Sequence, residues 1–95
     1  MLYVIHALDH EGSLDNRLAH YDAHKAFLAD TSGFGVKIVM SGPLIDDVSE
    51  TMIGSLFVVE AASKDAVESF NRADPFHKAG IWCSTSITGF VKRQG

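Results

Sequence analysis

The sequence predicts an α+β domain with the element order β-α-β-β-α-β, the ferredoxin-like pattern of one antiparallel sheet with two helices on one face. Three observations support this fold class. The chain has 95 residues, so residues 1–95 are predicted to form a single domain. Stretches rich in β-branched and aromatic residues alternate with helical ones in that order. Apolar residues make up 46% of the chain and charged residues 21%, which is typical of globular domains.

The first strand is predicted over residues 2–8, "LYVIHAL", because a turn-rich stretch follows it. Ser13 is in position to cap a helix, and the apolar period predicts one continuous helix from Leu14 to about Ala29. The apolar stripe of this helix is predicted to face the sheet. It consists of Leu14, Leu18, Tyr21 and Leu28.

The middle of the chain contains two strands joined by a polar loop. The stretch "TSGFG" ends the first helix, and "VKIVMSG" then predicts a second strand that Pro43 stops. The polar stretch "LIDDVSETM" predicts a loop, and "IGSLFVVEA", residues 53–61, predicts the third strand.

The second helix begins after Ser63, which is placed to cap it, and ends before Pro75, because a proline disfavours helical backbone in the residue before it. Its predicted inward residues are Ala66, Val67 and Phe70. A short turn, "FHKAG", leads to a last strand over residues 81–92. Cys83 lies in that strand and is predicted to be a small core residue.

Both faces of the predicted sheet carry apolar side chains. Leu2, Val4 and Leu8 alternate with Tyr3, Ile5 and Ala7, and Leu56 and Val58 alternate with Phe57 and Val59. A sheet face in contact with water would instead carry polar residues. Because two helices cover only one face, we expect the other face to pack on a second copy of the chain, which makes a homodimer.

The composition of the chain limits the kinds of partner that it is expected to bind. The net charge is −4 and there is no basic cluster, so no nucleic acid is expected. No apolar run approaches the roughly 20 residues of a membrane span, and the N-terminus lacks the marks of a secretion signal. The single cysteine favours a cytoplasmic location. No phosphate-binding loop is recognisable, so no cofactor is predicted.

Arg17 and His24 lie on the flank of the apolar stripe of the first helix. His24 has two interpretations at this stage: a boundary histidine bonded to a backbone carbonyl, or a general acid or base, since histidine titrates near neutral pH. His20 and His24 have a spacing that can share a metal ion, but no third ligand follows them, so no metal site is predicted.

Two aspartates are candidates for orienting an imidazole. Asp74 precedes a proline at a helix end, and Asp9 ends the first strand. Each can be an ordinary turn carboxylate or a fixed partner of a histidine. The turn "SGP" of Ser41, Gly42 and Pro43 exposes backbone amides beside the second strand, which by itself is weak evidence for a binding loop.

Five fragments together resemble the YCII (YciI-like) family: "MLYVIHALD", "SLDNRLAHYDAH", "MSGPLIDD", "IGSLFVVEAAS" and "ADPFHKAGIW". This resemblance implies the fold of the dimeric α+β barrels and a histidine–aspartate pair in the active site. By motif, the histidine is His24 and the aspartate is Asp74, with Asp9 as the competitor. Arg17, Ser41, Gly42, Pro43 and Phe76 are then expected, together with Asp9, to contact substrate.

Two functions follow from the resemblance. The first is a small-molecule enzyme that uses the His24–Asp74 pair for acid–base chemistry without metal or organic cofactor, such as the dehydrochlorinases among the family's relatives. Arg17 would bind a substrate oxyanion. The alternative is a non-catalytic homodimer that binds a small ligand or retains only a vestigial site. The polar loop "LIDDVSETMIGS" is shorter than in many relatives, so the substrate stays open.

Overall fold

The structure, a computed structural model, describes residues 1–95. It contains four strands: β1 (Leu2–Asp9), β2 (Val36–Ile45), β3 (Met52–Ala61) and β4 (Trp82–Phe90). It contains four α-helices: α1 (Leu14–Ala19), α2 (Tyr21–Leu28), α3 (Lys64–Ala73) and α4 (Pro75–Lys78). The strands pair antiparallel in the order β2-β3-β1-β4, which confirms the predicted ferredoxin-like fold.

The core lies between the helices and one face of the sheet. β1 and β3 occupy the centre of the sheet, so their inward side chains are covered on all sides. Val67 and Phe70 of α3 are fully buried, as predicted, and the side chain of Ser63 caps that helix by accepting the Ala66 N–H. The central inward strand residues are Tyr3, Ile5, Ala7, Phe57 and Val59.

The prediction of one continuous first helix is wrong. The backbone leaves the helical region at His20, which has φ −104° and ψ 5°, and two helices result. The break interrupts the regular 100° advance of side chains, so residues before and after it do not share one stripe. Leu18 and Tyr21 are therefore 53% and 44% exposed. The inward positions are taken largely by two polar residues, Arg17 and His24.

Pro43 does not stop the second strand, which continues to Ile45. β2 is the edge of the sheet, so a residue without a backbone N–H costs little there. The sequence alone does not show that the strand containing Pro43 lies at the edge of the sheet, where a proline is tolerated.

Cys83 is exposed, which corrects the prediction of a core thiol. The β1–β4 register pairs Leu8 with Ser84 but Asp9 with Trp82, so Cys83 is the extra residue of a β-bulge. A bulge shifts the alternation of side chains by one position. Trp82 therefore remains buried while the thiol next to it does not.

The predicted turn after Pro75 is a single helical turn, α4. Asp74 separates it from α3 with an extended backbone at φ −61° and ψ 132°, the conformation that a following proline favours. Pro75 then occupies the first position of α4, where its missing N–H is not needed. This corner fixes both Asp74 and Phe76 against the sheet.

The second face of the sheet is not covered by any element of the chain. Strand alternation and register place a mixed but largely apolar set of side chains there. The apolar members are Leu2, Val4, Leu8, Met40, Leu44, Leu56, Val58 and Phe90, with His6, Glu60, Ser84, Ser86 and Thr88 among them. None of the helices has the length and hydrophobicity needed to cross a lipid bilayer.

Candidate active site

The centre of the candidate site is an ion-pair-like contact between His24 and Asp74. The Nδ1 atom of His24 lies 2.8 Å from Oδ1 of Asp74, although the two residues are 50 positions apart in sequence. An ionised carboxylate can only accept hydrogen bonds, so Nδ1 carries the hydrogen in this pair. Asp74 is fully buried and His24 is 8% exposed.

The second ring nitrogen of His24, Nε2, is not engaged by the rest of the chain. No hydrogen bond within the chain involves Nε2. The only side-chain polar atoms that are sealed from solvent without a partner are Oδ2 of Asp74 and Nε1 of Trp82, so Nε2 retains access to solvent. With hydrogen on Nδ1, Nε2 carries the lone pair that a general base needs.

The corner between α3 and α4 immobilises the carboxylate. Oδ1 of Asp74 also accepts the backbone N–H of Phe76 at 2.9 Å, which caps the short helix α4. The ring of Phe76 stacks on the imidazole of His24, with ring centres 3.9 Å apart and planes 7° from parallel. The imidazole is thus held both by its Nδ1 hydrogen bond and by its flat face.

Arg17 forms a second buried polar cluster beside the pair. Its Nε and Nη2 atoms donate to the two carboxylate oxygens of Asp9 at 2.8 and 3.1 Å. Nη2 also donates to Oγ of Ser55 at 2.7 Å. The guanidinium carbon lies 4.6 Å from the centre of the Phe76 ring, so this ring contacts both polar clusters. Removing one partner of such a buried ion pair costs about 3–5 kcal/mol.

A cavity of about 120 Å³ opens in front of His24 and Arg17. It lies between α1, α2 and the helix-facing side of β2 and β3. Its walls are formed by Arg17, Tyr21, His24, Lys25, Leu28, Ser41, Gly42, Pro43, Met52, Ser55 and Phe57. Pockets for drug-sized ligands measure roughly 300–1,000 Å³, so this cavity is smaller than the pockets that hold such ligands.

The structure brings most of the predicted site residues together, and they take three kinds of position around the cavity. His24, Arg17 and the turn of Ser41, Gly42 and Pro43 line the cavity. Asp74 lies behind His24 and not at the mouth of the cavity. Phe76 is fully buried and is not part of the cavity wall.

Asp9 is not part of the cavity wall either, and it is not the residue that contacts His24. Its carboxylate is 4% exposed and is engaged by Arg17, whereas Asp74 reaches His24. A bound cationic side chain satisfies Asp9, so it has no reason to turn toward the imidazole. The choice between the two aspartates, which the sequence left open, is decided by this pairing.

Sequence reasoning missed Ser55, Tyr21 and Lys25, all of which line the cavity. Ser55 could have been found from strand alternation, because it shares the inward parity of Phe57 and Val59 and is polar. The sequence predicts Tyr21 as a core residue because it does not reveal the break at His20. Lys25 has no signal in the sequence that separates it from other exposed lysines.

The remaining surface offers no comparable site. A wide, open depression of about 780 Å³ lies between the end of α2 and the start of β2, but no histidine or cysteine lines it. No three histidine, cysteine, aspartate or glutamate side chains gather into a set that could hold a metal ion. The small cavity at His24 is therefore the best candidate for chemistry.

The fold and the contact between His24 and Asp74 define a small α+β protein with a buried histidine–aspartate pair beside a pocket. The chain belongs to the YCII family, since the YCII-related domain matches residues 1–91. It is 33% identical to Protein YciI of Escherichia coli O6:H1, over 97% of this chain and 98% of that protein. Protein YciI of Shigella flexneri is similar to the same extent.

Solved structures extend the comparison. The 5-chloro-2-hydroxyhydroquinone dehydrochlorinase TftG of Burkholderia phenoliruptrix AC1100, in complex with 2,5-dihydroxybenzoquinone, is 36% identical with a TM-score of 0.86, over 96% of this chain and 94% of that one. The protein At3g17210 of Arabidopsis thaliana has a TM-score of 0.54 at 13% identity, over 99% of this chain and 96% of that one, a likeness of fold alone. The comparisons confirm the family and the dimeric α+β barrel fold class.

Proposed function

We propose that the protein is a cofactor-independent enzyme of the lyase or isomerase type that transfers protons through His24. The observation that carries this proposal is the orientation of the imidazole, with Nδ1 bonded to Asp74 and Nε2 free beside a cavity. A base positioned in this way accelerates proton transfer by roughly 10²–10⁴-fold.

Asp74 acts on the histidine and not on the substrate. Its hydrogen bond selects the tautomer with hydrogen on Nδ1 and stabilises the imidazolium that forms when Nε2 takes a proton. The stacked ring of Phe76 keeps the imidazole plane fixed, so Nε2 points in one direction throughout the cycle. Such preorganisation is needed because a small misplacement of a catalytic group costs much of its effect.

The substrate that we propose is a hydroxylated, halogen-bearing single ring. This rests on the likeness to TftG, which is named a dehydrochlorinase, and on the size of the cavity. His24 would move one hydroxyl proton to the chlorine-bearing carbon, which becomes tetrahedral. Loss of a second hydroxyl proton to His24 then forms a C=O bond, and the C–Cl electron pair leaves as chloride. The reaction is redox-neutral and needs no electron acceptor.

A non-catalytic ligand-binding module is the alternative function. This alternative is favoured because the same residues also stabilise the fold. Asp74 caps α4, and Arg17 of α1 forms hydrogen bonds with residues of β1 and β3. A polar cluster of this kind can persist for stability after chemistry has been lost. The activity experiment below separates the two functions.

We further propose that the protein works as a homodimer in the cytoplasm. The uncovered sheet face carries a central strip of Val4, Leu56 and Val58 that a monomer would leave in water. Packing two such faces together would bury them and leave the His24 cavity, on the opposite side of the sheet, free to bind a small ligand. The single cysteine is consistent with a reducing compartment.

The test is release of chloride from 5-chloro-2-hydroxyhydroquinone, with product formation followed by absorbance. We expect turnover by the wild-type protein and a loss of at least roughly 10²-fold in His24→Gln. The matched control is His77→Gln, because His77 is exposed on α4 and should leave turnover unchanged. Binding of 2,5-dihydroxybenzoquinone without any turnover would favour the ligand-binding module.

A further inference from the structure

Met52 is the one residue that lines two separate cavities. It forms part of the wall of the His24 cavity, and it also lines a second cavity of about 210 Å³. The second cavity lies between the loop that joins β1 to α1 and the first residues of β3, and its wall includes Asp9, His10 and Ile53. The two cavities are therefore neighbours, with the half-buried side chain of Met52 at their boundary.

The ion pair of Arg17 and Asp9 belongs to the same boundary. Arg17 lines the His24 cavity and Asp9 lines the second cavity. Both side chains are buried and are joined by a hydrogen bond of 2.8 Å, so neither can move aside without leaving the other as an unpaired buried charge. A methionine side chain is unbranched and flexible, so Met52 is the adjustable part of the boundary.

The backbone that carries Met52 is held by the loop before it. The backbone N–H of Asp46 donates to the carbonyl oxygen of Thr51 at 2.9 Å, and the carboxylate of Asp46 accepts the backbone N–H of Ser49 at 2.9 Å. Met52 then pairs with Ile45 as the first residue of β3. Because this short loop fixes the backbone, a change at the boundary is a change of the Met52 side chain.

The two volumes indicate what the boundary controls. The His24 cavity alone, at about 120 Å³, is smaller than the roughly 300–1,000 Å³ of pockets for drug-sized ligands. The two cavities together reach the lower end of that range. A ligand that outgrows the His24 cavity in this direction needs the space that Met52 closes off.

We infer that Met52 is a specificity-determining residue, which separates the two cavities and selects against rings that carry an alkyl substituent. This inference rests on the proposed function and narrows its substrate class to rings whose substituents are small, such as hydroxyl groups and a halogen. A longer substituent directed at the second cavity would meet the thioether chain and displace it from its half-buried position. A pocket wall of this kind discriminates by roughly 10–200-fold for each methylene that does not fit.

The experiment measures the Kd of the full-length protein for two quinones by isothermal titration calorimetry. The quinones are 2,5-dihydroxybenzoquinone and its mono-propyl derivative, which is a single compound because the unsubstituted carbons of the parent ring are equivalent. We expect the wild-type protein to bind the propyl derivative at least roughly tenfold more weakly than the parent. Met52→Ala opens the boundary and should remove most of this difference.

Two variants serve as controls. Met52→Leu nearly conserves the volume of the side chain and should keep the wild-type difference between the quinones. Met40→Ala makes the same substitution as Met52→Ala at a residue that is 59% exposed on the other face of the sheet, and it should also bind like the wild type.

Equal affinities of the wild-type protein for the two quinones would overturn the inference. A difference that persists in Met52→Ala, or a wild-type protein that binds neither quinone, would do the same. Thermal midpoints show whether each variant is folded. If Met52→Ala does not fold, Met52→Val takes its place, since valine also lacks the end of the thioether chain and is suited to a strand. The proposed function fails separately, as absent chloride release while the difference in affinity remains.

Discussion

The imidazole of His24 lies flat against the phenyl ring of Phe76, 3.9 Å between centres, and each ring restricts the other. The two residues come from α2 and α4, so this contact joins the first half of the chain to the last. Through this contact a fully buried phenylalanine takes part in the architecture of the site. Phe76 is a platform on which the histidine is oriented.

Asp74→Asn should reduce turnover by roughly 10²–10⁴-fold without unfolding the protein. The amide oxygen of asparagine can still cap Phe76, but the asparagine cannot hold the Nδ1–H tautomer as a carboxylate does. The ¹⁵N shifts of the His24 ring should show a change in tautomer. The control is Asp65→Asn on the exposed first turn of α3, which should alter neither quantity. An unchanged tautomer would mean that Asp74 does not control the imidazole.

Phe76→Leu should lower the free energy of unfolding by about 1–2 kcal/mol, since a smaller side chain replaces a fully buried ring. It should also release the His24 ring, visible as broadened or averaged ring resonances in NMR spectra. Urea denaturation measures the first effect. If stability falls while the His24 resonances remain those of the wild type, the stacking has no orienting role.

Gly54→Ala should destabilise the protein by about 1–3 kcal/mol through steric conflict. A Cβ atom at Gly54 would lie 2.3 Å from the backbone carbonyl oxygen of Ala7, and a backbone atom cannot easily move away. The matched control is Gly33→Ala, where a Cβ atom meets nothing within 4 Å. Equal thermal midpoints for the two variants would contradict the close approach of β1 and β3.

The wild-type protein should sediment as a homodimer at micromolar concentration. Leu56→Glu places a charge in the centre of the uncovered sheet face and should give monomers. Val48→Glu is the control, since Val48 is 94% exposed in the loop between β2 and β3. A wild-type monomer, or a Leu56→Glu variant that remains dimeric, would exclude this face as the interface.

Cys83 should react with a thiol reagent in the native protein, because the β-bulge exposes it. The rate should approach that of a model peptide and should not depend on unfolding. Labelling followed by mass spectrometry measures this. Reaction only after denaturation would show that the thiol is covered in solution, for example by a second copy of the chain.

The sequence by itself determined the order of the strands and the buried residues of α3, and it singled out His24 as the candidate histidine. Val67 and Phe70 were predictable because a helical period and a capping serine are local features. The family motifs singled out His24 and Asp74 because both stand in short recognisable segments. These inferences depend on neighbours in the chain, which a sequence displays directly.

Only the tertiary structure decided which polar groups meet. The family motif favoured Asp74 as the partner of His24, but Asp9 remained a competitor until the structure paired Asp9 with Arg17 and Asp74 with His24. The break at His20, which turns both of these basic residues inward, is compensated by carboxylates from distant segments. Buried charged or polar side chains are stable only when they have such partners. A partner that is 50 residues away in the chain produces no recognisable pattern in the local sequence.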